Sequence, residues 1–308
     1  MSTRIATSFM FAGGVDAMLR KQADLTHTEL QLANGKRILR PSDDASATAQ
    51  MLDLKEHKAK IDQYQRNADA VSARLGQEET ALEGIGNLLQ RVRELTVQGN
   101  NGALGVEQRA AVANEVRQQV EAFVQLANTQ DANGEYIFSG YLTDTEAISY
   151  TPPAAPGANG SFSYNGDSGQ RLVKIGDSRE VAMGDPGDMF MNLAAAAGGT
   201  TSIGAIIDDI AANFESGTVA VNGLTDLDTA IDGISTARAR VGGRMNAIDQ
   251  QRAINEGFTL AVEQVRSNLE DLDYAEAISR FNQQLTALQA SQQSFLKIQD
   301  LNLFNYLR

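Results

Sequence analysis

A chain of 308 residues with no cysteine, no tryptophan, two histidines and a formal charge of −13 leaves few chemistries open. Zero cysteine excludes disulfide staples, zinc fingers, iron–sulfur ligation and thiol nucleophiles. Only His27 and His57 are present, far apart in the chain, and the acidic balance repels phosphate backbones, which argues against nucleic-acid binding.

The length allows two or three domains with a real core. No stretch approaches the roughly 18 apolar residues of a membrane span, and the opening MSTRIATSFMFAGG lacks the apolar core and cleavage site of a secretory signal. The expectation is a chain that is soluble or leaves the cell by a route needing no such signal. Residues 1–40 carry +3, residues 273–308 are neutral, and the interior holds −16. The ends repel one another least, which suits them to packing against other copies.

Val15, Leu19, Thr26, Leu30 and Ala33, preceded by Ile5, Phe9 and Phe11, predict a loose amphipathic helix interrupted by Gln22 and Glu29. Pro41, Ser42, Asp43 and Asp44 then supply a helix start. Leu54, Ile61, Ala68, Leu75, Leu82 and Leu89 recur every seven residues, and His57, Tyr64, Val71, Glu78, Ile85 and Val92 follow each at plus three. Six heptads predict one rod-like helix about 60 Å long that ends at Asn100, Asn101 and Gly102. Ala113, Val116, Val120, Phe123 and Ala127 predict a second helix, antiparallel to the first across a short link.

From Glu135 the spacing changes. Tyr136 to Phe138, Ile148 and Tyr150, Phe162 and Tyr164, and Leu172 and Val173 lie in short runs between Gly, Pro, Asn and Asp clusters, with Pro152, Pro153, Pro156 and Pro186 among them. This is strand and turn spacing, and it predicts a β-rich insertion over 140–202. Heptads return with Leu224, Leu227, Ile231, Ile234, Val241, Met245, Ile248, Val262 and Leu269. Arg238, Arg252, Asn255, Thr259 and Arg266 are polar members of that frame and would fix register. After Asp271 and Asp273 a new frame runs through Tyr274, Ile278, Phe281, Leu285, Leu288, Gln292 and Phe295 to Leu301, Leu303, Phe304 and Leu307.

The fold expected is therefore mainly α: an elongated helical rod with coiled-coil termini and a small β-rich inserted domain. Its parts are a terminal polymerisation region (1–41 and 272–308), a helical rod (42–139 and 203–271) and the β-rich outer domain (140–202).

Enzyme signatures have plainer readings. GDSG at Gly166 to Gly169 resembles a serine nucleophile motif, but both histidines sit in helical patterns and SYNGDSGQ has hairpin-turn composition. Asp226, Asp228 and Asp232 lack the glycine and terminal glutamate of a cation loop, and Leu227 and Ile231 between them belong to the helix stripe. His57 reads as a polar seam residue, and Tyr136, Phe138 and Tyr141 as a domain-junction core. No P-loop, dinucleotide fingerprint or HExxH occurs. The reading is a non-enzyme with no catalytic residues, no cofactor and no metal.

The unusual feature is apolar surface at the ends. A lone helix pair is marginal, and exposed apolar faces mark association. Val15, Leu19, Leu30, Ile278, Phe281, Leu285, Leu288, Phe295, Leu301 and Phe304 are the candidate assembly interface, on termini expected to order fully only when subunits stack.

ALEGIGNLLQRVRELTVQGNNG (Ala81 to Gly102) is similar to the N-terminal rod helix of the bacterial flagellin superfamily, and ARARVGGRMNAID (Ala237 to Asp249) resembles its C-terminal rod segment. GKRILRPSDDASA (Gly35 to Ala47), ANTQDANGEYIFSGY (Ala127 to Tyr141) and SFLKIQDLNLFNYL (Ser294 to Leu307) shift the resemblance to the hook-associated junction members of that superfamily. The resemblance covers the helical halves; the insertion matches only in β character. It implies export through the flagellar type III channel, a cytoplasmic export chaperone on the C-terminal helix, and a homo-oligomeric ring between hook-associated protein 1 and the first flagellin subunits, outside the cell on the flagellum. Rival readings are a minor flagellin forming the filament itself, a chemoreceptor-like signalling hairpin, and a secreted hydrolase using Ser168.

Overall fold

The computed structural model describes residues 2–306, with side chains described at 9 and over 11–297. The chain divides into two compact units, residues 1–60 with 257–308 and residues 61–256.

In the first unit, α1 (Ser2–Asn34) and α6 (Tyr274–Tyr306) pack antiparallel, the ring of Phe11 meeting Phe295 edge-on with centroids 5.6 Å apart. The unit also holds the first turns of α2 (Ala45–Gly99) and the last of α5 (Gly223–Glu270). α1 ends at Gly35, whose φ of 67° lies in the left-handed region that terminates helices at low cost only for glycine. A Cβ there would also stand 2.8 Å from the Tyr274 hydroxyl.

The second unit carries the main core. Ala68, Val71, Leu75, Leu82, Ile85, Leu89 and Val92, the heptad positions of α2, are buried, as are Val116, Val120 and Phe123 of α3 (Val106–Ala127) and Leu227, Ile234, Val241 and Ile248 of α5. Apolar spacing thus becomes burial, the main favourable contribution to folding. Three separate antiparallel pairs make up the strands: β1 (Ile148–Thr151) with β2 (Ser161–Tyr164), β3 (Leu172–Lys174) with β4 (Glu180–Ala182), and β5 (Leu193–Ala194) with β6 (Thr200–Thr201). Their registers place Ile148 opposite Tyr164, Val173 opposite Val181 and Leu193 opposite Thr201. Two-stranded ribbons are marginal alone. Here the fully buried Ile148 and Ile175 anchor two of them to the common core, and Phe190, in a 3-10 turn at Gly187–Phe190, packs edge-on against both Phe123 and Phe138.

Residues 203–215, read as part of the helical rod without a helix of their own, stand apart from α5. They form a separate helix, α4 (Ile203–Glu215), capped by the Ser202 hydroxyl, which accepts from the Ala205 N–H at 3.1 Å. Ile203, Ile206, Ile207, Ile210, Ala211 and Phe214 are buried in it. Phe214 fills the space a side chain at Gly99 would need. Tyr136 to Phe138, expected in a strand, make only an isolated bridge between Gln130 and Tyr136.

Candidate assembly interface

α1 presents two apolar stripes. Phe11, Gly14, Met18, Leu25 and Thr28, at steps of three, four and seven residues, are half-buried or buried. The stripe read from sequence is a different one: Val15, Leu19 and Leu30 stand exposed, Leu19 at 58%. α6 repeats the arrangement. Ala277, Phe281, Gln284, Leu288, Ser291 and Phe295 keep heptad spacing and are buried or half-buried. The adjacent stripe is exposed, with Ile278 at 50% and Leu285 at 36%, flanked by Tyr274 and Leu296. The candidate residues therefore fall into two groups. Phe281, Leu288 and Phe295 share the sheltered face, and Phe295 meets Phe11. Val15, Leu19, Leu30, Ile278 and Leu285 form the exposed set. The side chains of Leu301 and Phe304 lie outside the described residues, as do those of Ile5, Leu303 and Leu307.

The helix connections are joined by a short backbone ladder. The Arg37 N–H donates to the Glu270 carbonyl at 2.7 Å, the Leu272 N–H to the Gly35 carbonyl at 3.1 Å, and Lys36 pairs with the Glu270 carboxylate. Arg37 also reaches the Leu269 carbonyl at 3.0 Å and Asp44 at 3.3 Å. Asp44 caps α2 by accepting from the Ala47 N–H at 2.9 Å, and Asp273 caps α6 by accepting from Ala275 and Glu276. Asp43 accepts from the N–H groups of Arg40 and Leu39 with His27 3.4 Å away, and the Arg40 N–H above all holds its carboxyl below the usual range. The PSDD segment thus fixes the entry into α2, as its composition suggests.

The other candidates resolve into structural parts. Asp167 of GDSG folds its own turn, Oδ1 accepting from the N–H groups of Tyr141 (2.9 Å) and Gly169 (2.8 Å), while the Tyr164 hydroxyl donates to its carbonyl at 2.7 Å. Asp226 accepts from the Ala196 N–H and Asp228 pairs with Arg93 at 2.9 Å. His57 is exposed on α2 rather than in a seam. Of the aromatic trio, Phe138 is core, Tyr136 half-buried and Tyr141 exposed. Among the described residues no cluster of three His, Asp or Glu could hold a metal, and no helix is long and apolar enough to cross a membrane.

Periodicity did not reveal the polar joints of the second unit. Arg117 of α3 meets Asp208 and Glu215 of α4, the latter at 2.9 Å, and donates to the Ala158 carbonyl at 3.0 Å. Asp208 is 1% exposed and also accepts from the Tyr150 hydroxyl and the Gly160 N–H. The β3–β4 turn is tied down from two helices: Asn67 of α2 donates to the Lys174 carbonyl at 2.7 Å, and Asn255 of α5 to that of Ile175 at 3.1 Å. Asn255 was read as a polar heptad member, and that irregularity was the available signal.

Comparison with known proteins places this geometry. The family model for the bacterial flagellin N-terminal helical region matches residues 9–143, and that for the C-terminal helical region matches residues 224–307. The chain is 28% identical to flagellar hook-associated protein 3 of Escherichia coli K12 over 98% of both chains. It is 27% identical to the protein of the same name from Salmonella typhimurium LT2, over 99% of this chain and 100% of that one. Among solved structures, a flagellar hook-associated protein from Vibrio parahaemolyticus superposes with a TM-score of 0.65 at 25% identity, covering 74% of this chain and all of that one.

Proposed function

The chain belongs to the bacterial flagellin family, and from that premise we propose that it is the junction piece between hook and filament, a structural subunit and not an enzyme. The observation that carries this reading is the end-to-end match to hook-associated protein 3, which takes in the insertion as well as the helical halves. Residues 1–41 and 272–308 serve polymerisation, 42–139 and 203–271 form the helical body, and 140–202 face outward. Subunits close into a ring that stacks on hook-associated protein 1 and receives the first flagellin. The chain reaches that position through the flagellar type III channel, kept unfolded beforehand by an export chaperone. A chain without cysteine cannot be trapped by disulfides on that route.

The exposed stripe of Val15, Leu19, Leu30, Ile278 and Leu285 supports polymerisation, because apolar side chains about half bare on paired helices gain roughly 1 kcal/mol each when a neighbour covers them. A ring component closes on a limited number of copies, whereas a filament subunit propagates. Purified chain incubated at high concentration, with sheared filament fragments as seeds, is expected to cap or form short assemblies by electron microscopy. Growth of long filaments from the chain alone would assign it instead as a minor flagellin.

A further inference from the structure

Glu78 occupies a d position of the α2 heptads, where an apolar residue is expected, and it is 1% exposed. Its Oε1 accepts from the Asp185 N–H at 3.2 Å, while its Oε2 is buried with no hydrogen-bond partner. Asp185, Arg244 and Arg74 act on it directly, and their ion-pair partners complete a charged cluster. Arg244 and Arg240 come from α5, Arg74 from α2, Asp131 and Glu135 from the segment after α3, Arg171 from the edge of β3, and Asp185 from the segment after β4.

The cations are committed elsewhere. Arg244 grips both oxygens of Asp185, Nη1 to Oδ1 at 3.0 Å and Nη2 to Oδ2 at 2.7 Å, and stays 3.8 Å from Glu78. Arg74 binds Asp131 at 2.7 Å and Glu135 at 3.2 Å. Arg171 and Arg240 are solvated, and the carboxylates they reach are Glu135 and Asp185, at 3.6 and 3.8 Å. Two sheltered guanidinium groups thus face four carboxylates. A water-sized void of about 20 Å³ borders the cluster, lined by Arg74, Arg171, Gly184 and Asp185 among others.

Asp185 is also where the β-rich segment is fastened to the helices, since Arg244 of α5 grips its carboxylate and its N–H donates to Glu78 of α2, while Gln170 donating to its Oδ1 at 2.9 Å and the Met183 N–H donating to the Arg171 carbonyl at 2.9 Å close the segment on itself. We propose that Glu78, Asp185 and Arg244 form a proton-operated latch: with Glu78 protonated the segment from Arg171 to Pro186 is held on α2 and α5, and loss of that proton loosens it. Ionised Glu78 would be a second negative charge in a buried place whose nearest guanidinium, Arg244, is already taken by Asp185, and the void holds too little space to hydrate it unless the 184–186 end of the segment loosens. Burial first, then the Asp185 charge, pushes the Glu78 carboxyl up to about 7 from 4.5, so the closed latch binds the proton more tightly than the open one. Closure is then firmest below pH 4.5 and weakens as pH rises through 7. This inference stands apart from the junction role and concerns the subunit alone.

Hydrogen exchange of the full chain, corrected for intrinsic rates, tests it. Protection of the Val173, Val181 and Met183 amides is expected to fall about tenfold between pH 6 and 8 while α3 amides hold steady. Glu78→Gln is expected to show protection that does not change between the two values. An equal fall in that variant, or none in the unaltered chain, overturns the latch. Carbon-13 titration of the Glu78 carboxyl in the unaltered chain needs no variant. A midpoint between pH 6 and 8 is expected, and a titration complete by pH 5 would contradict it.

Discussion

Changing Leu19, Ile278 and Leu285 together to Asp is expected to remove the chain from assembled flagella while leaving the isolated subunit folded. All three stand on the exposed stripes of α1 and α6, at 58, 50 and 36% exposure. Surface substitutions of this kind usually change monomer stability by no more than about 0.5 kcal/mol each. In an assembly the same positions would be covered. The loss of apolar contact, roughly 1 kcal/mol per half-exposed side chain, is then joined by the larger cost of burying an unpaired carboxylate. Repeated in every subunit of a ring, such penalties leave no appreciable incorporation. Thermal unfolding by circular dichroism and immunoblots of sheared flagella are the two readouts. Near-normal incorporation of a folded triple variant would remove the stripe from the interface. Phe281 and Leu288 make a poorer test, because they share the sheltered face of α6 with Phe295, and their loss would disturb the helix pair itself.

Arg117→Ala is expected to destabilise the unit formed by residues 61–256 by about 3–5 kcal/mol, the usual cost of removing one partner of a buried ion pair. Its side chain joins Asp208, Glu215 and the Ala158 carbonyl, so its removal leaves Asp208 enclosed with only the Tyr150 hydroxyl and the Gly160 N–H as donors. The contacts run from α3 to α4 and to the loop between β1 and β2, so no single element can relax alone. Arg91→Ala is the control: Arg91 pairs with Glu115 and Glu94 in solvent, where such pairs contribute at most about 1 kcal/mol. Urea unfolding followed by circular dichroism measures both, and Asp208→Asn added to Arg117→Ala is expected to recover part of the loss. Equal, small effects of Arg117→Ala and Arg91→Ala would show that the joint does not hold the unit together.

The long helices were legible because their information is local and repeated. Leu75, Leu82 and Leu89 announce a seam that burial then satisfies, and Asp43 and Asp44 announce the start of α2 through hydrogen bonds that reach only four residues. α4 was missed although Ser202 offered a cap and Ile203 to Phe214 an apolar run, because strand-like neighbours on one side and heptads on the other left thirteen residues without a pattern of their own. The second stripe of α1 was missed for a related reason. Phe11, Gly14, Met18 and Thr28 include small and polar members, and a Cβ at Gly14 would stand 3.2 Å from the Phe295 ring. The joints at Arg117, Arg244 and Asn255 link positions 41 to 98 residues apart, and spacing carries no record of which distant carboxylate or carbonyl a side chain will meet. Glu78 and Asn255 gave the hints, as polar residues at heptad positions of mostly apolar frames.

The junction role is tested most directly by electron microscopy of cells from which this chain has been deleted, with flagellin assayed in the medium. The account predicts hooks that end bare and flagellin monomer shed into the supernatant, both reversed when the chain is restored. Filaments of ordinary length on the hooks of the deletion strain would contradict it.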